Sequence, residues 1–565
     1  MLQAKLNELR ENVNVEEVSF EIASRVRGRI DLDSYSLFGT IYLAYLAKEN
    51  DIKTVDALVK FVDGKLPDDR ALFIRKYAKD AWDVALEIAS SYTQDTLVVL
   101  LIWMPIETAR PTALMETPLC ISKLAIELLQ ISDSTVADFC CGAGSFLRET
   151  IFRCPEANCF GVEMNLEYME ISRIRMQLYS NRCSINYGNV LFIDDSKRFD
   201  RIFCDSPLGQ HNSREYESFC VDIPELARVQ RLDWIYFYNV MKHLNDNGRA
   251  VVVTMNGNLF NGGVNTDIRK RFIENGWIEA VITLPANLLS STMVSVSLIV
   301  LSRNNESIRM IDATELATIG RRKNTLSDET IASIVEMVNR DTDKSKSVSI
   351  EELKAEDYVI NPQRYLEVLP VIEDAIEFNE LIRSIRRGSQ IKASELDKIS
   401  SITPTDYQYL MLANIQNGII SDDLPYLNSL DKSMEKYCIS NNNLLISKNG
   451  KPFKVAIASV PDGKKVLANG NLYVIELDEN KVNPYYLMAF LQSEAGQLLL
   501  SRTAVGAIIS NIPVENLKKM IVPCPSLDRQ NIIAEKYQMK MDEIKLLNYQ
   551  LEKAKTDLKT IFEEV

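Results

Sequence analysis

The stretch Thr135-Val136-Ala137-Asp138-Phe139-Cys140-Cys141-Gly142-Ala143-Gly144-Ser145-Phe146-Leu147 decides the fold. Its first five residues read as a buried strand, Gly142-Ala143-Gly144 as a turn, and Phe146-Leu147 as the opening of a helix. Glycines let a backbone approach a ligand closely, and a helix N-terminus presents free N–H groups to it. A dinucleotide loop reads G-x-G-x-x-G, but Leu147 stands at the third position, which disfavours NAD-type binding.

Working outward, strand-like runs recur at Ala157–Val162, Arg201–Cys204, Ala250–Thr254, Ile278–Thr283 and Val294–Leu301, with helical stretches between most of them. That alternation predicts an α/β unit with a mostly parallel sheet, closed by an antiparallel pair of strands. Upstream, residues 1 to about 110 read as helical. Leu2, Leu6, Leu9 and Val13 keep helical spacing, as do apolar positions across Leu37–Ala47 and Ala81–Ile88, with polar breaks at Asp63-Gly64 and Pro67-Asp68-Asp69. Downstream, Arg340 to Glu351 is polar and reads as a linker. Beyond about Glu380, short strand-like pieces alternate with Gly, Asn and Pro turns. Asn531–Phe562 then carries a heptad seam: Tyr537, Ile544, Leu551 and Leu558 at a, Leu547, Ala554 and Ile561 at d, with Lys540 the exception. Such a seam packs against another helix or docks on its own domain.

At 565 residues the chain is expected to form roughly three units. The apolar run Leu97–Ile106 is about half the ~20 residues of a membrane span, and Met1 to Arg10 lacks a signal pattern. Ten cysteines without a C-x-x-C pair argue against a zinc site or a disulfide framework, so no metal and a cytoplasmic location are expected. The net charge of −14 is uneven: −12 falls in the first 370 residues and −2 in the rest. Any nucleic-acid contact must therefore come from local basic loops.

The Asp138–Phe146 loop, with its leading acid, resembles motif I of class I S-adenosylmethionine-dependent methyltransferases. Glu163, 25 residues beyond Asp138, then suits a carboxylate that accepts both ribose hydroxyls, and Gly188-Asn189 resembles the family's Gly-Asp, which reads the adenine amino group. About 60 residues on, Asp205-Ser206-Pro207-Leu208 resembles the target loop of DNA adenine-N6 methyltransferases, usually Asn/Asp-Pro-Pro-Tyr/Phe. The resemblance implies that the Asp205 side chain and the Ser206 carbonyl take the two N6 hydrogens of a flipped adenine. Leu208 covers the base without a π surface, worth ~1–3 kcal/mol in stacking; Tyr216, Phe219 or Phe260 are candidate substitutes.

Met115-Glu116-Thr117-Pro118, Asn245 to Val253, Ile268-Arg269-Lys270, Leu284 to Leu288, Ile311-Asp312-Ala313 and Asn361 to Tyr365 follow in order as in the modification (M) subunit of type I restriction–modification systems. The remainder resembles half of a type I specificity (S) subunit, through Leu444 to Gly450, Gly470 to Ile475, Tyr485-Tyr486-Leu487, Gly506 to Ile512 and Pro523 to Gln530. The expected architecture is a helical N-terminal domain over 1–112, a Rossmann-like methyltransferase domain over 113–370, an α+β target-recognition domain over 371–530, and a coiled-coil-like helix over 531–565.

The resemblance implies S-adenosyl-L-methionine as cofactor, held by Thr117, Asp138, Cys140, Gly142, Gly144, Glu163, Asn189 and Asp205. It implies catalysis at Asp205, Ser206, Pro207 and Leu208. Double-stranded DNA is the expected substrate, with phosphate contacts from Arg386, Arg387, Lys448, Lys451 and Lys454. Tyr407, Tyr409 and Asn414 are candidates for base edges. Partners through the last helix are a second copy or a specificity or restriction subunit, with no membrane. The alternative reading is a catalytically impaired DNA-binding or assembly subunit that keeps the methyltransferase fold.

Overall fold

A computed structural model describes residues 2–30, 34–65, 68–106, 116–213, 216, 221–289, 293–321, 323–367, 372–450, 452–504 and 511–560. The chain divides into two compact units, Met1–Leu366 and Glu367–Val565.

The first unit is built on nine strands: β1 Thr135–Phe139, β2 Asn158–Glu163, β3 Cys183–Tyr187, β4 Phe199–Cys204, β5 Leu244–Met255, β6 Ile278–Thr283, β7 Val296–Leu301, β8 Ser307–Asp312 and β9 Ser345–Ser349. Their order across the sheet is β3-β2-β1-β4-β5-β7-β6-β8-β9. β3 through β5 run parallel, and β7 inserts antiparallel between β5 and β6. Alternation along the strands sorts side chains to two faces: Val251 and Val253 join one apolar cluster, Ala250 and Val252 the other. Helices Leu119–Leu129 and Ser145–Arg153 cover the first face, and Asp233–His243 and Val264–Glu274 the second. Burial on both faces explains why the central strands read as continuous apolar runs.

From β1 the chain winds outward to β2 and β3, then returns to β4 on the other side of β1. Strand order therefore reverses between β1 and β4, which opens a crevice at their C-terminal ends. The upstream helices Ser34–Glu49, Asp68–Ser91 and Gln94–Trp103 share a cluster with Ala143, Tyr168, Ile171 and Ile174, so they pack directly behind the glycine loop.

Two readings are corrected. Helix Val55–Lys65 runs through Asp63-Gly64, so no break stands there, and Pro67 lies outside the described residues. The segment read as a linker holds β9, antiparallel to β8, followed by helix Ile350–Ala355. A capping box between Ser349 and Glu352 starts that helix. Val348, fully buried, is the only aliphatic side chain in Ser345–Ser349, and this sparse pattern hid the strand.

The second unit holds two four-stranded sheets. One consists of Ile382–Arg387, Leu472–Leu477, Leu444–Ser447 and Val455–Ile457; the other of Ser400–Ser401, Tyr426–Leu427, Tyr407–Leu410 and Lys465–Ala468. Helix Leu527–Thr560 docks on this unit through its first turns. Gln530 is fully buried and donates to the Lys481 and Pro525 carbonyls, while Ala534, Tyr537 and Met541 join the core. Past Met541, Ile544, Leu547, Leu551 and Leu558 are exposed, and Ile561 lies outside the described residues.

A strand at 345–349 and a linker there predict opposite outcomes for Val348→Asp. An unpaired carboxylate in the core is expected to destabilise the first unit by about 3 kcal/mol or more, measured by urea denaturation. A linker would show no change.

Candidate active site

β1, β2 and β4 end in register: Phe139 pairs with Val162 on one side and with Cys204 on the other. Cys140, Glu163 and Asp205 therefore arrive at one level above the sheet. The chain turns at Cys140 (φ 69°) and Gly142 (φ 52°), then enters helix Ser145–Arg153 through Gly144 (φ 83°). A Cβ at Gly144 would also lie 2.6 Å from Ser172 Oγ, so both backbone and packing require glycine there. Gly144 N–H donates to the Cys141 carbonyl (2.8 Å), and Cys141 N–H to the Val162 carbonyl (3.0 Å), which locks the turn.

Above this turn lies a cleft. Thr117, Cys140, Gly142, Glu163, Asn189, Asp205 and Pro207 line it, as do Glu116 and Tyr236. Asp138 and Gly144 do not reach the wall and support the loop from within. Glu163 Oε2 accepts from the Gly142 N–H (2.9 Å) and Oε1 from the Asn165 N–H (2.7 Å). Burial raises the Glu163 carboxyl above its ordinary range, and these bonds only partly offset it. Asp138 is buried, and its Oδ1 has no hydrogen-bond partner among the described residues. Burial first, then the charges of Asp205 and Glu163, hold its carboxyl well above the usual range.

Asp205 follows β4. The Thr117 hydroxyl donates to its Oδ2 at 2.7 Å. Burial pushes the carboxyl up to about 6, against the lowering effect of Thr117. Glu163 and Asp205 thus stand on one cleft wall with Asp138 behind them, and the nearby cations Arg175 and Arg148 are engaged by Glu116. The Arg175 guanidinium, fully buried, donates to Glu116 Oε1 (2.6 Å), to the Ala143 carbonyl of the glycine loop (2.9 Å), and to the carbonyls of Leu101 (3.2 Å) and Met104. Burial alone would raise Glu116, but Arg175 and Arg148 bring it below its ordinary value. The donor set fits a ligand that carries a positive centre and polar hydroxyls, as S-adenosylmethionine does. The two raised carboxyls on the cleft wall, Glu163 and Asp205, carry that fit.

Not every side chain expected at the site faces the cleft. Leu208 packs half-buried against the apolar cluster under helix Leu119–Leu129 and is not on the cleft wall, because an aliphatic side chain gains more from core contact than from an exposed position. Ser206 is buried. Asn189 Oδ1 already accepts the Leu191 N–H (3.0 Å), which caps the turn Val190–Phe192, and its Nδ2 donates to the Tyr216 hydroxyl (3.5 Å). Tyr216 is buried and stacks on Phe192, with centroids 6.0 Å apart. Phe260 packs against the core, and Phe219 lies outside the described residues.

The ring that does reach the cleft is Tyr236, on helix Asp233–His243, its hydroxyl donating to Gln210 Oε1 (3.2 Å). Its only sequence signal is the aromatic run Trp234-Ile235-Tyr236-Phe237-Tyr238, which equally suits a core helix.

In the second unit, Arg386 donates to the Cys438 carbonyl (2.9 Å) and Lys454 to the Leu412 carbonyl (2.9 Å), so both cations already serve local backbone groups. Arg387 lies close to Lys448, whose ammonium is lowered by burial and then by Arg387. Lys451 lies outside the described residues. Tyr409 is buried against Asn469, and Asn414 Oδ1 accepts the Met411 N–H, so neither is presented as a free base reader.

Residues 114–374 match the N-6 DNA Methylase family, and residues 386–555 match the Type I restriction modification DNA specificity domain. The chain is 24% identical over 287 residues to the type I restriction enzyme MpnII methylase subunit of Mycoplasma pneumoniae, covering 44% of this chain and 52% of that protein. It is 24% identical over 301 residues to the MjaIX methylase subunit of Methanocaldococcus jannaschii, covering 46% and 53%. The chain thus spans about half the length of the curated relatives it matches. A type I restriction–modification methyltransferase subunit from Streptococcus thermophilus shares the fold, with a TM-score of 0.52 at 20% identity over 63% of this chain and 99% of that one. The chain is homologous to type I methylase subunits and joins an N-6 DNA methylase domain to a type I specificity domain.

Proposed function

We propose that this protein is a site-specific DNA adenine-N6 methyltransferase of a restriction–modification or phage-defence system, with S-adenosylmethionine as cofactor and double-stranded DNA as substrate. The observation that carries this reading is the shared cleft: the target-loop carboxylate Asp205 stands in the same wall as the glycine loop and Glu163. Glu163 would take the ribose hydroxyls, Asn189 and Tyr236 would flank the adenine, and Asp205 would face the charged methionine end, with Asp138 buried behind the glycine loop. When bound, the cofactor supplies an electrophilic methyl group on a cationic sulfur.

This chain supplies position and charge. The flipped adenine gives one N6 hydrogen to Asp205 and the other to the Ser206 carbonyl, which aims its nitrogen at the methyl carbon. Catalysis is then mainly positioning and desolvation.

Leu208 favours the second reading, an impaired assembly subunit, because its burial leaves the target base without a stacking ring from the loop. Methyl transfer from labelled cofactor to plasmid DNA of varied sequence decides between them. The expected result is transfer that falls roughly a hundredfold or more in Asp205→Ala. Gly144→Ala is expected to weaken cofactor binding about tenfold or more by calorimetry, given its φ and the Ser172 clash. Cofactor binding without transfer to any DNA supports the assembly subunit instead.

Arg387 and Lys448 are the adjacent cations proposed for DNA phosphate contact. Alanine at either should weaken binding evenly across sequences and lower the salt slope by about one. We further propose that the exposed seam Ile544, Leu547, Leu551 and Leu558 pairs with the same helix of a second copy, or with a specificity or restriction subunit. Light scattering is expected to give a dimer that Leu551→Asp/Leu558→Asp converts to a monomer; a wild-type monomer leaves the partner subunits.

A further inference from the structure

We propose that Thr117 is a positioning residue of the target loop: its hydroxyl fixes the rotamer of Asp205 and leaves the other carboxylate oxygen turned to the adenine amino group. The proposal rests on the methyltransferase reading above and adds a residue that the target-loop motif does not contain.

The loop has lost its first proline, which would have stiffened the backbone at position 206. What holds it here is external. On its downstream side, Arg231 Nη1 donates to the Gly209 carbonyl (2.6 Å) and the Leu232 N–H donates to the Gln210 carbonyl (2.9 Å). These fix the backbone after Leu208 and leave the Asp205 side chain untouched. On the upstream side, Thr117 makes the one side-chain contact to Asp205 found among the described residues, at 2.7 Å across 88 residues of sequence. With Oδ2 engaged, Oδ1 is the oxygen left to accept an N6 hydrogen.

Thr117 can hold that oxygen only if its own backbone is fixed, and it is. Glu116 accepts from Arg175 at Oε1 and from the Ile106 N–H at Oε2 (3.1 Å), while Pro118 caps helix Leu119–Leu129. The Arg175 guanidinium that grips Glu116 also grips the Ala143 carbonyl in the glycine loop. The hydroxyl that orients the target carboxylate is thereby set by the same buried cation that sets the cofactor loop.

The charge argument points the same way. The charge of Asp205 is felt by Asp138 on β1, which Glu163 on β2 also raises; Cys140 and Tyr236 line the same cleft, and Glu116 is neutralised by Arg175. Among the described residues no cation is shown against Asp205. Burial raises its carboxyl to about 6, and the Thr117 hydrogen bond is the influence that holds it down. An acid with a raised value is ionised above it and protonated below it. Activity should therefore fall as pH drops through about 6, and losing the hydroxyl should move that limb upward.

The test uses the full chain with Thr117→Val and Thr117→Ser, each in wild-type and Asp205→Asn backgrounds. In kcat/KM for plasmid methylation, Thr117→Val is expected to lower the plateau roughly ten- to a hundredfold and to raise the acid limb by about one pH unit. Thr117→Ser, which keeps the hydroxyl, should restore both. Because Asp138 and Glu163 also titrate, the diagnostic quantity is the difference in acid limb between Thr117 variants, which should vanish when Asp205 is Asn. A Thr117→Val variant that only raises the KM for S-adenosylmethionine, with an unmoved limb, overturns the proposal and makes Thr117 a wall of the cofactor site.

A readout without activity separates this proposal from the methyltransferase reading. The melting-temperature gap between wild type and Thr117→Val should widen as pH rises through about 6, and this pH dependence should disappear with Asp205→Asn. A gap that is flat with pH overturns the proposal even in an active enzyme. A widening gap in a protein that methylates no DNA upholds the Thr117–Asp205 coupling while the methyltransferase reading fails.

Discussion

The Arg175 guanidinium has no exposed surface, and four separate parts of the first unit end on it: the last turn of helix Gln94–Trp103, the Met104 carbonyl beyond it, the glycine loop at Ala143, and Glu116. A buried cation of this kind is tolerated because its donors are consumed by fixed acceptors; burial still draws it down to about 10, with Glu116 opposing. Removing either charge would strand the other in the interior, at about 3–5 kcal/mol. The N-terminal helices are therefore part of the machinery of the cleft. They hold the two carbonyls that fix the arginine, and the arginine fixes the loop.

Around that node the site is organised as an electrostatic deficit. Asp138, Glu163 and Asp205 are all raised from their ordinary values, chiefly by burial. A folded protein keeps such groups only where the fold over-determines them. Here it does so through the register of β1, β2 and β4, which brings the three strand ends to one level. A cationic ligand relieves the repulsion, whereas a neutral one of the same shape does not.

How much of this was legible in the sequence depended on whether the deciding contact was local. The glycine loop could be read because a buried strand, positive-φ glycines and a helix start lie within a dozen residues. Glu163 could be read because the next strand ends on it. β9 could not, since Ser345–Ser349 offers one aliphatic side chain and owes its place to pairing with β8. Arg386 and Lys454 looked like free cations because the carbonyls they bind, at Cys438 and Leu412, are backbone groups with no sequence signature. Tyr236 was masked by its aromatic neighbours, and the Thr117–Asp205 bond joins segments 88 residues apart.

Leu208 carries a different kind of consequence. A residue at the fourth position of a target loop is ordinarily shaped by the base it covers. Here the side chain belongs to the apolar cluster under helix Leu119–Leu129. Its tolerance to change is then governed by volume and hydrophobicity: methionine or isoleucine should pass, while a large ring or a charge should not.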